Sequence, residues 1–351
     1  MQAVGETIKP VVPMKHIPHL IKSLYGLTVE SCKELDSYDD KNYHVVVTGQ
    51  SENPYIKHPE ENGYVLKILN KMQSKNPLFV GNVILFCFFC FLDSTPFEFY
   101  IVRLFTYIPG ETFSAIPIHP KSLYNIGKVL GNFHDAMKDF QHKFFESYTL
   151  LWSLTEVERV KDFFIGVQDE NKKALVTEII DAFNKEVAPK YHKLTKSIIH
   201  GDVNERNIIM KEIPGQKVAS GEPRVYDVSA LIDFNDAVSS YTALDVAICI
   251  AYMSIKCKEF DQRDVGGHVL AGYLSVRSMN DTEREVLKVC VCARLAQNLV
   301  MGAYTNYMNP SHVYVLNTAA RGWPLLSMMW ETPQNEIDAR WNKIIKEYEN
   351  L

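Results

Sequence analysis

A chain of 351 residues, 46% hydrophobic and 23% charged, has room for about two domains and the balance of a folded globular protein rather than a disordered one. Its 37 Lys and Arg against 42 Asp and Glu leave a formal charge of −5, without the basic excess that a nucleic-acid binder working through phosphate contacts carries. Seven cysteines form a sparse, odd set unlike a secreted disulfide framework, which points to reduced thiols and a cytoplasmic protein.

Residues Met1–Leu20 contain Pro10, Pro13 and Pro18 and no continuous apolar stretch, so no targeting signal is expected there. A short helical segment ends near Gly26. Apolar runs of β type follow at Tyr43–Thr48, Tyr64–Leu69 and Phe99–Phe105, separated by polar stretches such as Gln50–Gly63. Between the last two lies Leu78–Leu92, fifteen residues without a charge. A membrane span needs about 20 such residues, so the run reads as buried core, and the C-x-x-C of Cys87 and Cys90 within it as packed thiols. From here the pattern turns helical. Leu123, Ile126, Leu130, Phe133, Met137 and Phe140 recur at steps of three and four, one face of a helix. Val286, Cys290, Ala293, Val300 and Ala303 mark another, with Asn280-Asp281-Thr282 as its cap. One island departs from this. Ser197–His200, Ile208–Met210 and Val225–Phe234 read as three short strands of a small sheet, with Gly201–Asn207 and Lys211–Arg224 as loops.

The chemistry sits on those loops. His200-Gly201-Asp202 is followed after four residues by Asn207, and after the hairpin by Leu231-Ile232-Asp233-Phe234. Phosphoryl transfer needs a carboxylate that orients the attacking hydroxyl and accepts its proton, and oxygen ligands that hold Mg²⁺ on the phosphates. Asp202 suits the first task, and Asn207 with Asp233 the second. Asp202 taken alone is equally a turn or cap residue; the ordered combination of the two motifs is what separates the readings. His200 is expected to pack against the loop. Lys67, the single charge within Tyr64–Leu69, is either the cation on the phosphates or a strand lysine facing solvent. Ser37–Tyr43 is either a nucleotide-covering loop or a plain hairpin turn, since it lacks glycines.

HGDVNERN with LIDFND resembles the aminoglycoside phosphotransferase and choline kinase superfamily. The blocks SYDDKNYHV, GYVLKI, VRLFTYIPG, IIHGDVNERNII and LIDFNDAVSSYTALDVAICIAYM resemble its hydroxylysine kinase family in order and wording. The resemblance implies an α+β, two-lobed, protein-kinase-like fold: a small β-rich nucleotide-binding lobe over 1–105, a hinge over 106–110, and a mainly α-helical catalytic and substrate-binding lobe over 111–351. It implies a small-molecule kinase that moves the γ-phosphate of GTP, or alternatively ATP, with Mg²⁺, onto the hydroxyl of 5-hydroxy-L-lysine. In that frame Asp202 is the proton acceptor, Asn207 and Asp233 the metal ligands, and Lys67 the phosphate lysine. Tyr38, Asp39, Asp40 and Asn42 line the loop over the phosphates, and Thr106, Tyr107 and Ile108 lie beside the base. Asp245 braces the catalytic loop.

The superfamily pairs its phosphate lysine with a glutamate from a helix between that lysine and the hinge. Here the interval is short and Glu98 is its only glutamate, so Lys67 is expected to lack that partner. Glu205 and Asp236 are candidates for the amines of the substrate, and Arg206, Arg294 and Arg321 for its carboxylate. Two further readings stay open: a kinase of another amino alcohol (choline, ethanolamine or homoserine), and a catalytically impaired nucleotide-binding homologue. Nucleic acid and membrane are not expected partners.

Overall fold

In a computed structural model the chain is described over residues 9–350, apart from 38, 75–87, 92–98, 148, 217–223, 309 and 311–312. It divides into two units, Met1–Pro109 and Gly110–Leu351. The first begins with helix α1 (Ile17–Tyr25), whose second residue is Pro18 and which stops at Gly26 in the left-handed conformation, φ 63°. Five strands follow: β1 (Leu27–Leu35), β2 (Lys41–Ser51), β3 (Tyr64–Ile68), then, after the four-residue helix α2 (Lys71–Ser74), β4 (Phe88–Phe91) and β5 (Phe99–Thr106). They form one antiparallel sheet in the order β1-β2-β3-β5-β4.

Alternation along these strands sorts the side chains. Tyr43, Val45 and Val47, Tyr64, Leu66 and Ile68, and Tyr100 and Val102 are buried in one cluster with Ile17, Leu20, Ile21 and Tyr25 of α1. Their sequence neighbours must face the other way. The register pairs Asn42 with Lys67 and Lys67 with Arg103, so an amide and two cations form a row across three strands on the opposite face. The stretch read as buried core, Leu78–Leu92, falls outside the described residues except for β4, and so does the C-x-x-C geometry.

In the second unit a short strand β6 (Glu111–Thr112) precedes helices α3 (Pro120–Met137), α4 (Lys143–Ser147) and α5 (Glu170–Glu186). The strands β7 (Lys196–Ile199), β8 (Ile208–Glu212), β9 (Tyr226–Leu231) and β10 (Val238–Tyr241) come next, followed by helices α6 (Thr242–Lys256), α7 (Val265–Leu274), α8 (Asp281–Met308), α9 (Val313–Glu331) and α10 (Gln334–Glu349). The α6 residues from Thr242 to Ile255 are all buried, which makes it the central helix of this unit. The 28-residue α8 is long and apolar enough to cross a membrane, but 83% of that apolar window is buried among its neighbours. Its start is a capping box: Asn280 Oδ1 accepts from Glu283 N and Glu283 Oε2 accepts from Asn280 N, both at 2.9 Å.

Two expectations need correction. Helix α3 ends at Met137, and Phe140 lies beyond it, 47% exposed against Phe145. The strand at 196–199 does not join β8 and β9. It pairs with β10, while β8 and β9 form a hairpin extended by β6. The turn of loop 200–207 carries the chain out of one ladder and into the other, which a run of apolar residues cannot show.

Helices α3 and α7 approach closely at Gly127 and Gly272. A Cβ on Gly272 would overlap the carbonyl of Tyr124, and one on Gly127 that of Val269. Because backbone is what would have to move, Gly272→Ala should cost about 3 kcal/mol and lower the melting temperature by several degrees. An unchanged melting temperature would show that the helices separate freely.

Candidate active site

The polar loop 200–207 is built around Asp245, in the first turn of α6 and fully buried. Its Oδ2 accepts from His200 N and Oδ1 from Gly201 N, both at 2.9 Å. The same Oδ2 meets His134 Nε2 at 2.9 Å, and His134 Nδ1 reaches Tyr273 Oη at 2.9 Å. Burial pushes the Asp245 carboxyl up, but the His134 hydrogen bond and charge, with the His200 amide, outweigh it and hold the group below its ordinary range. The expected bracing role of Asp245 is therefore visible in the geometry. Gly201 takes φ 81°, and a side chain there would run into the Asp236 carbonyl, so this position accepts only glycine. His200 is buried, with Nε2 on Ile232 O at 3.0 Å and Nδ1 accepting from Asp202 N at 3.3 Å, a structural role.

This frame delivers Asp202. Its Oδ2 accepts from Asn204 Nδ2 at 2.7 Å and Asn207 Nδ2 at 3.0 Å, while its side chain keeps 21% exposure. Asn207 Nδ2 also donates to Asp202 O at 2.9 Å, so both amide hydrogens are used within the loop. Asn207 O in turn accepts from Ile232 N at 2.9 Å, which draws Asn207 to the residue before Asp233. Asp233 has φ 66° and is the one non-glycine residue at positive φ among those described. Such strain persists where surroundings over-determine it, as at a ligand site. Asn207 and Asp233 are therefore brought close along the backbone, and an amide oxygen with a carboxylate is donor chemistry that a Mg²⁺ ion accepts. Asn204 was not anticipated, although an Asn two residues after a loop Asp is the signal of an Asx turn. Its Oδ1 accepts from the amides of Arg206 and Asn207 at 2.8 and 3.1 Å.

Of the substrate candidates, Asp236 lies against the HGD loop, with its carbonyl over Gly201. Glu205 belongs to a different neighbourhood, near the Lys256 ammonium. Arg321 is spent on the carbonyls of Lys256 and Cys257, and Arg206 is exposed at the surface.

In the first unit Lys67 is buried and not on a solvent-facing strand position, and it does have a partner. Its Nζ lies 3.1 Å from Asp40 Oδ2, with side chains 8% and 11% exposed. Asp40 Oδ1 accepts from Asn70 N at 2.8 Å and Nδ2 at 3.1 Å. Glu98 and most of the interval that would carry a helix glutamate fall outside the described residues; the carboxylate that meets Lys67 comes from the β1–β2 loop. Asn42 stands cross-strand from Lys67 with its Oδ1 buried and without a hydrogen-bond partner, and Arg103, which sequence reading missed, is the buried cation on the other side. At the end of β5, Thr106 and Ile108 are exposed, while Tyr107 donates its amide to Gly63 O at 3.0 Å and stacks on His44 at 3.8 Å. Tyr38 lies outside the described residues.

Asp39, next to Asp40, is pushed up to about 6 by burial and by the Asp40 charge, against Lys9. Between about pH 4 and about pH 6 the unfolded carboxyl loses its proton first, so this group lowers stability as pH rises. Asp39→Asn should therefore be more stable than the parent by about 2 kcal/mol at pH 7, allowing for partial exposure, with the gain vanishing near pH 4. Urea melts at the two pH values check this; an equal gain at both would refute it.

Residues 90–278 match the phosphotransferase enzyme family. A hydroxylysine kinase of Bos taurus is 32% identical across 94% of this chain and 93% of its own length, and one of Mus musculus 31% identical across 97% and 96%. Among solved structures, an amicoumacin kinase aligns with TM-score 0.59 at 14% identity over 92% of this chain and 95% of its own. A microcompartment-associated aminopropanol kinase aligns with TM-score 0.57 at 14% identity over 90% and 98%, which places the fold as α+β and protein-kinase-like. With that fold, a carboxylate on the HGD loop and this relationship over nearly the whole chain, the protein belongs to the phosphotransferase enzyme family, as a small-molecule kinase acting on alcohol groups.

Proposed function

We propose that this kinase transfers the γ-phosphate of GTP to the side-chain hydroxyl of 5-hydroxy-L-lysine, giving 5-phosphohydroxy-L-lysine and GDP in the cytosol. The observation that carries the acceptor is the extent of similarity. Four hydroxylysine kinases match over at least 94% of the chain, whereas a homoserine kinase of Rhizobium meliloti matches over 54%. The GTP preference rests on the family resemblance of the motif blocks. The free thiols of the five cysteines among the described residues, four of them buried, support a reducing compartment.

In this reading Asp202 orients the acceptor hydroxyl and takes its proton, with the Asn204 and Asn207 amides holding the carboxylate in place. Asn207 and Asp233 hold Mg²⁺, which when bound neutralises charge on the phosphate oxygens. In the nucleotide-binding unit Lys67 contacts the phosphates, and Asp40 acts on them through Lys67. Tyr38 and Asp39 serve the segment between β1 and β2 that covers the phosphates, Asn42 serves them from β2 beside Lys67, and Thr106, Tyr107 and Ile108 flank the base. Asp236, and more distantly Glu205, answer the amines of the substrate.

The protein should form GDP from Mg-GTP only when hydroxylysine is present, and should form ADP from Mg-ATP more slowly under the same conditions. Homoserine, choline and ethanolamine in the same assay test the other acceptors. A rise in melting temperature with Mg-GTP but no turnover on any of them would favour an impaired homologue. Asp202→Asn should lower kcat about a thousandfold in a chain that still unfolds cooperatively, and retained turnover would refute its role. Asp40→Asn should lower kcat/KM for the nucleotide about a hundredfold, as a displaced Lys67 would.

A further inference from the structure

We propose that Arg294, in the middle of α8, is the positioning residue that sets the carboxylate of Asp202 for transfer, an inference that rests on the phosphotransfer reading of Asp202. Its side chain is 1% exposed, and its Nη2 lies 3.3 Å from Asp202 Oδ1. The guanidinium is itself held on several sides. Nη2 also donates to Tyr252 Oη at 3.1 Å, and Nη1 donates to Trp152 O at 2.7 Å and Gln297 Oε1 at 2.9 Å. Gln297 is in turn tied to Leu151 O at 3.1 Å. The rings of Trp152 and Tyr252 lie 5.4 and 5.3 Å from the guanidinium carbon, within cation–π range.

A buried guanidinium costs far more than an apolar side chain of the same size, so its place between the buried Ala293 and Leu295 calls for a use. Burial opposes its charge, but the Tyr252 hydroxyl and the Asp202 and Asp236 carboxylates outweigh this and keep it fully charged. Asp202 carries its two amides on Oδ2, whereas Oδ1 faces Arg294. Removing the guanidinium would free the carboxylate to rotate about its last torsion.

Binding of the acceptor's own carboxylate is the competing role, and geometry disfavours it. Four of the five N–H groups of Arg294 are already engaged by the protein. A group in contact with the proton acceptor stands next to the reacting hydroxyl, while the carboxylate of hydroxylysine is four carbon–carbon bonds away.

The test is steady-state kinetics of the full chain with 5-hydroxy-L-lysine and Mg-GTP. Arg294→Ala should lower kcat about a hundredfold while the acceptor KM stays within about threefold, and added ethylguanidinium should restore about tenfold of the loss. The same additive should do nothing for Asp202→Asn. If instead the acceptor KM rises and kcat is kept, Arg294 binds substrate and the proposal is wrong; unchanged kinetics overturn it equally. Should Arg294→Ala fail to fold, Tyr252→Phe, which removes one anchor of Nη2, should lower kcat about fivefold at unchanged KM, and no effect overturns the proposal. If the parent protein phosphorylates no acceptor, the functional reading falls by itself. A double-mutant cycle of Asp202→Asn and Arg294→Gln on melting temperature then decides: non-additive shifts sustain the coupling to Asp202, and additive ones overturn it.

Discussion

The site depends on one buried carboxylate. Asp245, at the start of a helix buried on all sides, accepts the two amides that open the HGD loop and a histidine from α3. An ionised group with no exposure is tolerated only when its lone pairs are met, and here they are met by the backbone that must be placed. The arrangement converts the rigidity of the helical core into the position of a loop. It also explains why Gly201 is glycine: the amide can reach Asp245 only if the chain turns through positive φ against the Asp236 carbonyl.

A second buried pair, Lys67 with Asp40, does the corresponding work in the small unit. The side-chain period of two on β2, β3 and β5 commits one face to the apolar contact with α1 and leaves Asn42, Lys67 and Arg103 on the other. Two neighbouring cations on a buried face repel each other, and a carboxylate close by offsets that repulsion. The carboxylate arrives from the loop between β1 and β2, a few residues from Asn42. A lobe with a short segment after β3 can therefore keep its lysine held without a glutamate from a helix there.

The third polar feature, Arg294 and its anchors, differs in kind. Its partners come from α6, α8, the segment before the 3-10 turn at Leu154 and the HGD loop, so it joins elements far apart in the chain. Low dielectric strengthens each of those contacts and also makes each costly to lose.

Chemistry and type of element are legible in the residues alone: HGDVNERN and LIDFND specify an acidic loop with amide oxygens, and apolar spacing specifies α1, β2, β3 and most of α3 and α8. Local rules suffice there, because turn residues and hydrophobic period act within a few positions. Pairing was not legible. Which strand takes up β7, which carboxylate meets Lys67, and which arginine of three reaches Asp202 all depend on residues distant in sequence. Charged side chains look alike in a sequence whether they end at the surface, like Arg206, on carbonyls, like Arg321, or inside the core, like Arg294. Folding separates those ends, since burial sets the cost of a charge and the partners brought to it from distant parts of the chain settle whether that cost is met.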